Sequence, residues 1–241
     1  MRGSAALIHK LCGTHGFSTT NHLLFLDIRV QHNFSAMTVI HIRGLGGGIG
    51  TSAFAWCLAR AVGALLIDQS NHPGGVLWSA GVKGQWPRIV GSGVLAPSEF
   101  DKFESGLTEV AGVRICSGGS PPPSPIVRQL VASAPIDRHV VIDGNITDAL
   151  STDWRSVVVS SNSIPHIREL ESVTADFTVC AFQNSGLPPQ IVRHVVPNVL
   201  TFKNQRKVQR GISGGYGVDG HSDIAECASK LAQQILALDG L

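Results

Sequence analysis

The 241-residue chain is 43% hydrophobic and 15% charged, which supplies one sizeable core in one large domain or at most two small ones. A formal net charge of +2 without a long Lys/Arg run gives no footprint for a nucleic-acid backbone. Stretches such as Leu23–Leu26 and Val157–Val159 fall far short of the ~20 apolar residues that a membrane helix needs.

Residues 1–36 mix His, Asn, Ser, Thr and Gly around one short apolar patch, His22–Val30, and read as a loosely ordered extension. Arg2 and Lys10 enclose no apolar region adequate for a signal peptide. His9, Cys12 and His15 recur at three-residue spacing, but two or three donors in a polar tail are a weak metal signal. The folded part is expected over residues 37–241. It opens with the β-branched strand Thr38–Arg43, a glycine-rich turn and the largely apolar helix Ser52–Val62. A second strand, Ala64–Ile67, ends at Asp68, and Pro73-Gly74-Gly75 makes the next turn. Val113–Cys116 reads as a strand, Pro121–Pro125 as a stiff extended loop, and Pro125–Ala134 as a helix. His139–Ile142 is a strand ending at Asp143. Ser156–Ser160 and Phe177–Phe182 are strands separated by the helix Ile164–Val173. Ile191–Val195 is a short helix and Asn198–Phe202 a last strand. Ser222–Leu238 is an amphipathic helix starting at a Ser222 or Asp223 cap, with Ile224, Cys227, Leu231, Ile235 and Leu238 on one face. Its polar side has Lys230 as its one basic residue, so the face is assigned to the core rather than to a lipid surface.

Short apolar strands alternating with helices imply an α/β fold, with a mostly parallel, doubly wound sheet covered by helices on both faces. Ligands of such sheets bind at the carboxyl ends of the strands, where Asp68 and Asp143 fall. The five cysteines, Cys12, Cys57, Cys116, Cys180 and Cys227, are odd in number and never spaced as CxxC. They read as reduced thiols of a cytoplasmic protein.

The central motif is Gly44-Leu45-Gly46-Gly47-Gly48-Ile49-Gly50-Thr51-Ser52, between a strand and a helix. Five glycines in seven positions exceed what helix-on-strand packing needs, and they let backbone N–H groups approach an anion at a helix N-terminus. Gly44, Gly48 and Gly50 fit the GxxxGxG spacing of short-chain dehydrogenases, with Asp68 toward a ribose. That reading lacks its Tyr-xxx-Lys pair, because the single tyrosine, Tyr216, is followed four residues on by Gly220. Against the P-loop pattern GxxxxGK[ST], Gly50 aligns, Thr51 takes the lysine position and Ser52 the hydroxyl position. Strand-end acids often serve only as caps, but two behind one glycine loop match a further pattern.

The loop Gly46-Gly47-Gly48-Ile49-Gly50-Thr51-Ser52, then Leu65-Leu66-Ile67-Asp68, then Val140-Val141-Ile142-Asp143, resembles in order the elements of MinD/ParA P-loop NTPases. The lysine-poor loop, Pro73-Gly74-Gly75, Trp86-Pro87, Gly91–Gly93 and Val113–Gly118 resemble more narrowly the actinobacterial CpaE-like group, which includes septum site-determining proteins and relatives encoded near pilus or secretion machinery. The similarity covers about Met37 to Leu238. Residues 1–36 are too short for the receiver-like domain that often precedes the loop in that group, and Gly46 stands where its loop carries Arg.

The resemblance implies ATP or ADP with Mg²⁺ over Gly46–Ser52, with Ser52 on the metal, Asp143 reaching it through water, and Asp68 positioning water or metal. Asn184 would stand near an adenine. It also implies protein partners in a division or pilus/secretion machinery, a possible homodimer, and at most peripheral membrane association. Without lysine at Thr51 or Gly46, nucleotide binding should be weak and hydrolysis slight. An active ParA-like ATPase and a dinucleotide-binding oxidoreductase remain the alternatives. Lys203, Arg206, Lys207 and Arg210 read as a solvated face, so no strong nucleic-acid binding is expected.

Overall fold

The computed structural model describes residues 37–69, 95–117, 124–144, 153–203, 206–213 and 221–240. The extension at 1–36, the His9/Cys12/His15 cluster, Pro73–Gly75, Trp86-Pro87, Gly91–Gly93 and Tyr216 lie outside them.

The elements in chain order are β1 (Val39–Gly44), α1 (Thr51–Val62), β2 (Leu65–Asp68), α2 (Pro97–Ser105), β3 (Thr108–Val110), β4 (Val113–Cys116), α3 (Ser124–Ser133) and β5 (Val140–Asp143). They continue with β6 (Arg155–Ser161), α4 (Ile164–Leu170), β7 (Phe177–Phe182), α5 (Pro189–Val195), β8 (Leu200–Lys203), α6 (Arg206–Ser213) and α7 (Asp223–Leu238). One eight-stranded sheet runs β3-β4-β2-β5-β1-β6-β7-β8. Every pairing is parallel except β3 with β4.

Strand alternation divides the apolar residues between two faces. Ile40, Ile42, Val141, Val157 and Val159 pack with α1 and α7 on one side. Val39, Val140, Ile142, Leu65 and Ile67 meet Phe100 of α2 and Val127 and Leu130 of α3 on the other. Further along that second side, Val158 and Cys180 meet Ile167 of α4 and Val192 of α5. Both faces are therefore covered by helices, as expected for a doubly wound sheet. Helix α1 is buried along nearly its whole length, including Phe54, Trp56 and Leu58. Phe54 also stacks on Phe202 of β8 at 5.7 Å.

Three elements escaped the sequence reading, α2, β3 and α6. Helix α2 buries only Phe100 and Glu104, and Glu104 stays inside because Arg138 lies 3.1 Å and Arg114 3.6 Å from its carboxylate. Strand β3 is a three-residue edge strand folded back on β4 through Ala111 and Gly112, both at positive φ. Pro125, where the stiff loop was read to end and the helix to begin, sits in the first turn of α3, where a missing N–H costs no intrahelical bond. Ser222 does cap α7, accepting from the Ala225 N–H. Four of the five residues proposed for the apolar face of that helix are buried, and Leu238 is exposed because the helix ends there.

Candidate functional site

The glycine loop follows β1 and enters α1. Gly50 has φ 97° and ψ 16°, a left-handed conformation that costs a residue with a Cβ about 1–2 kcal/mol. Gly48 is also at positive φ. Among the described residues no side chain caps the start of α1, its first turn has no acid, and the Phe54 N–H is the first to return, to the Gly50 carbonyl at 2.9 Å. The N–H groups of Thr51, Ser52 and Ala53 have no intrahelical acceptor at the start of this 12-residue helix, where the dipole favours an anion. Gly47 and Gly48 are exposed, and a Cβ on either would meet nothing within 4 Å. Ile49 turns inward and is buried, anchoring the loop on the core.

The loop residues do not all point as expected. Thr51 does not stand free at the edge: its hydroxyl and Cβ lie against Gly44, in the space that a Gly44 side chain would fill. Ser52, Asp68 and Asp143 are brought together. Strand pairing puts Asp68 opposite Asp143, and the Ser52 side chain hydrogen-bonds the Asp143 carboxylate. Ser117, just after β4, donates to Asp68 at 2.7 Å. The Asp143 backbone is fixed as well. Its carbonyl accepts from the Gln69 N–H at 2.7 Å, and the Gly144 N–H donates to Ile42 at 3.0 Å. His41 Nε2 lies 2.6 Å from the Gly144 carbonyl oxygen.

Burial, then the charge of Asp68, push the Asp143 carboxyl up to about 7, against the lowering effect of the Ser52 hydrogen bond. Asp143 Oδ2 has no hydrogen-bond partner among the described residues. A buried carboxylate oxygen without a donor, beside a hydroxyl and a second carboxylate, suits a small hard cation that takes oxygen ligands. The residues present therefore fit Mg²⁺, and the N–H groups at the start of α1 fit phosphate. Among the described residues no cluster of three or more His, Cys, Asp or Glu could hold a metal by itself.

Beside the loop, a groove of about 1140 Å³ extends from Gly48 along the ends of β7 and β8 to α7. Asn184, expected near an adenine, lines it and is exposed. The residue that shapes this wall is Asn162, which the sequence reading missed. Its buried amide donates to the carbonyls of Gln183 and Leu187, both at 2.9 Å, and accepts from the Gln183 N–H at 2.9 Å. Gly186 is glycine because a Cβ there would run into the Asn162 amide. The available signal was the polar run Ser160–Ser163 across the end of a buried strand. Asn162→Ala should lower stability by about 1–3 kcal/mol, because three backbone groups lose their partner. Denaturant titration measures this, and hydrogen exchange should rise first at residues 183–187.

The topology bears on the two readings of the loop. Dinucleotide folds place β2 beside β1, in the order 3-2-1-4-5-6. Here β5 lies between β1 and β2. The acid in register with Asp68 is therefore Asp143 on the inserted strand, and that arrangement departs from the dehydrogenase reading.

No family model matches the chain, and no curated protein matches its sequence. Solved structures do match its shape. One is a protein assigned to plasmid partition from Borrelia burgdorferi B31, crystallised with AMPPNP bound. It superposes with a TM-score of 0.55 at 13% identity over 84% of this chain and 99% of that one. Another is the MinD cell division protein of Aquifex aeolicus, with a TM-score of 0.53 at 14% identity over 83% of this chain and 97% of that one. At such identities the likeness is one of fold. The chain has the α/β fold of the MinD/ParA P-loop NTPases, with the glycine loop and both strand-end acids at the sheet edge. No helix among the described residues is long and apolar enough to cross a membrane.

Proposed function

We propose that this chain is a cytoplasmic positional or assembly factor of the CpaE/MinD type, serving septum-site determination or a pilus-like secretion apparatus. Nucleotide acts in it as a conformational ligand rather than as fuel. The observation that carries the reading is a phosphate-loop geometry whose metal-facing half is built and whose cationic half is missing. Ser52 bonds Asp143 opposite Asp68, while Gly46 and Thr51 stand where the resemblance places lysines.

In this reading the N–H groups of Gly46–Ser52 hold the phosphates of ATP or ADP. Ser52 and Asp143 hold Mg²⁺, and Asp68 orients water or metal. Mg²⁺ supplies charge neutralisation across the β and γ phosphates when bound. A charged hydrogen bond contributes about 1.5–3 kcal/mol, so the missing lysine weakens binding by about tenfold to more than a hundredfold. Hydrolysis depends on the same neutralisation and falls with it. Protein partners, in a homodimer or a larger assembly, would read the nucleotide state. The apolar face of α7 is occupied by the core, which leaves at most peripheral contact with a membrane.

A thermal-shift panel of ATP, ADP and NAD(H), each with and without Mg²⁺, tests the reading. Mg²⁺-dependent stabilisation by adenine nucleotides at high concentration is the expected result. A preference for NAD(H), or no response to any of them, would sink it. Steady turnover of ATP would move the assignment to an active ParA-like ATPase.

A further inference from the structure

His166 lies in the first turn of α4, and its ring is laid against the glycine loop. Nδ1 is 2.8 Å from Ser161 Oγ. That oxygen donates to Ser163 Oγ at 3.0 Å and receives the Ser163 N–H at 3.3 Å. With its own proton directed to Ser163, the Ser161 hydroxyl accepts from Nδ1–H, and the ring orientation is set. The opposite edge faces Gly46. A Cβ at Gly46 would sit 2.6 Å from Cε1 and 2.8 Å from Nε2 of His166. The imidazole thus occupies the space that any side chain at Gly46 would need, and it brings Nε2 against the loop at Gly46.

We infer that His166 is a phosphate-binding residue whose protonated Nε2–H supplies, from within the same chain, the cationic donor that the loop lacks. The inference rests on the nucleotide reading of the loop and deepens it. A neutral imidazole with Nδ1 as donor offers a phosphate only a lone pair at Nε2. A protonated one offers a charged donor and keeps the bond to Ser161. Binding of an anion and protonation of the ring are therefore linked, and histidine is the side chain whose charge changes near neutrality. The charged groups on neighbouring elements are Arg43 at the end of β1, Arg168 and Glu169 further along α4, and Asp143 on β5, from which β1 separates β6. None of them forms an ion pair with His166 among the described residues.

The test compares Mg-ATP binding by wild type and His166→Gln in calorimetry at about pH 6 and about pH 8. Asp143 charges over the same range and acts on Mg²⁺ in the opposite sense, so the ratio between the two proteins is the quantity to read. Wild type should bind about tenfold or more tightly than the variant near pH 6, and the ratio should shrink toward one near pH 8. In wild type alone, the His166 Hε1 resonance should titrate at higher pH with ATP present than without it. Equal affinities near pH 6 and an unmoved resonance, with ATP still bound, would overturn the role of His166 and leave the nucleotide reading intact. Failure of wild type to bind ATP at either pH would overturn both.

Discussion

Asp143→Asn should stabilise the ligand-free protein at pH 8 and abolish the Mg²⁺ dependence of its nucleotide binding. The carboxyl is fully buried and pushed from 3.8 up to about 7 by burial and by Asp68. Its folded-state pKa lies above its unfolded value, so the folded state binds the proton more tightly. This group's contribution is therefore least unfavourable at low pH. It becomes destabilising as pH rises from about 4 and is fully so above about 7. About three pKa units correspond to a penalty on the order of 4 kcal/mol. The amide keeps the shape and loses the charge. Even half of that figure recovered would raise Tm by about 4–8 °C for a domain of this size. Other groups titrate too. His41 is lowered chiefly by burial, so it favours the fold at higher pH and opposes it as pH falls. The difference between variant and wild type across about pH 4 to 8 isolates Asp143. A gap in Tm that does not grow with pH would show that the carboxylate is relieved in another way. Retained Mg²⁺ dependence in the variant would remove Asp143 from the metal site.

The three residues that meet at this point were legible in the sequence because each sits at a junction with a strong local signal. Asp68 and Asp143 end short runs of β-branched and leucine residues, and Ser52 begins an apolar helix after glycines. Parallel sheets put such junctions on one edge, so strand order alone brought the acids together. What was not legible depends on contacts distant in sequence. Glu104 reads as a surface charge, and only Arg138 and Arg114 make its burial affordable in α2. Ser117 follows β4 and reaches Asp68 across 49 positions. Asn162 belongs to a short polar stretch without a periodic pattern, and His166 to a helix whose apolar face gave no sign of a role for it. Their roles appear once β6 is placed beside β1, which brings that stretch against the loop. The inserted β5 was equally invisible. A glycine loop followed by a strand ending in Asp fits both a dinucleotide fold and a P-loop fold until the neighbour of β1 is known.

Thr51→Lys should raise Mg-ATP affinity by about tenfold or more, the effect of adding one charged hydrogen bond to the β and γ phosphates. Thr51 is the first residue of α1, immediately after the left-handed Gly50, and its side chain lies against Gly44. A lysine leaving from the same Cα would lay its methylenes along that glycine, where the absence of a Cβ leaves room, and would carry its ammonium toward the mouth of the loop. The substitution replaces a half-buried β-branched residue with a better helix former, so the fold should tolerate it. Hydrolysis need not return, because Gly46 still lacks the second lysine and His166 fills the space beside it. Calorimetry on the two proteins at one pH measures the gain. If His166 already supplies a cation, the gain should be larger near pH 8 than near pH 6. Unchanged ATP affinity at both values would mean that phosphate does not sit over Gly46–Ser52, and a preference of the wild type for NAD(H) would return the loop to the dinucleotide reading despite the strand order.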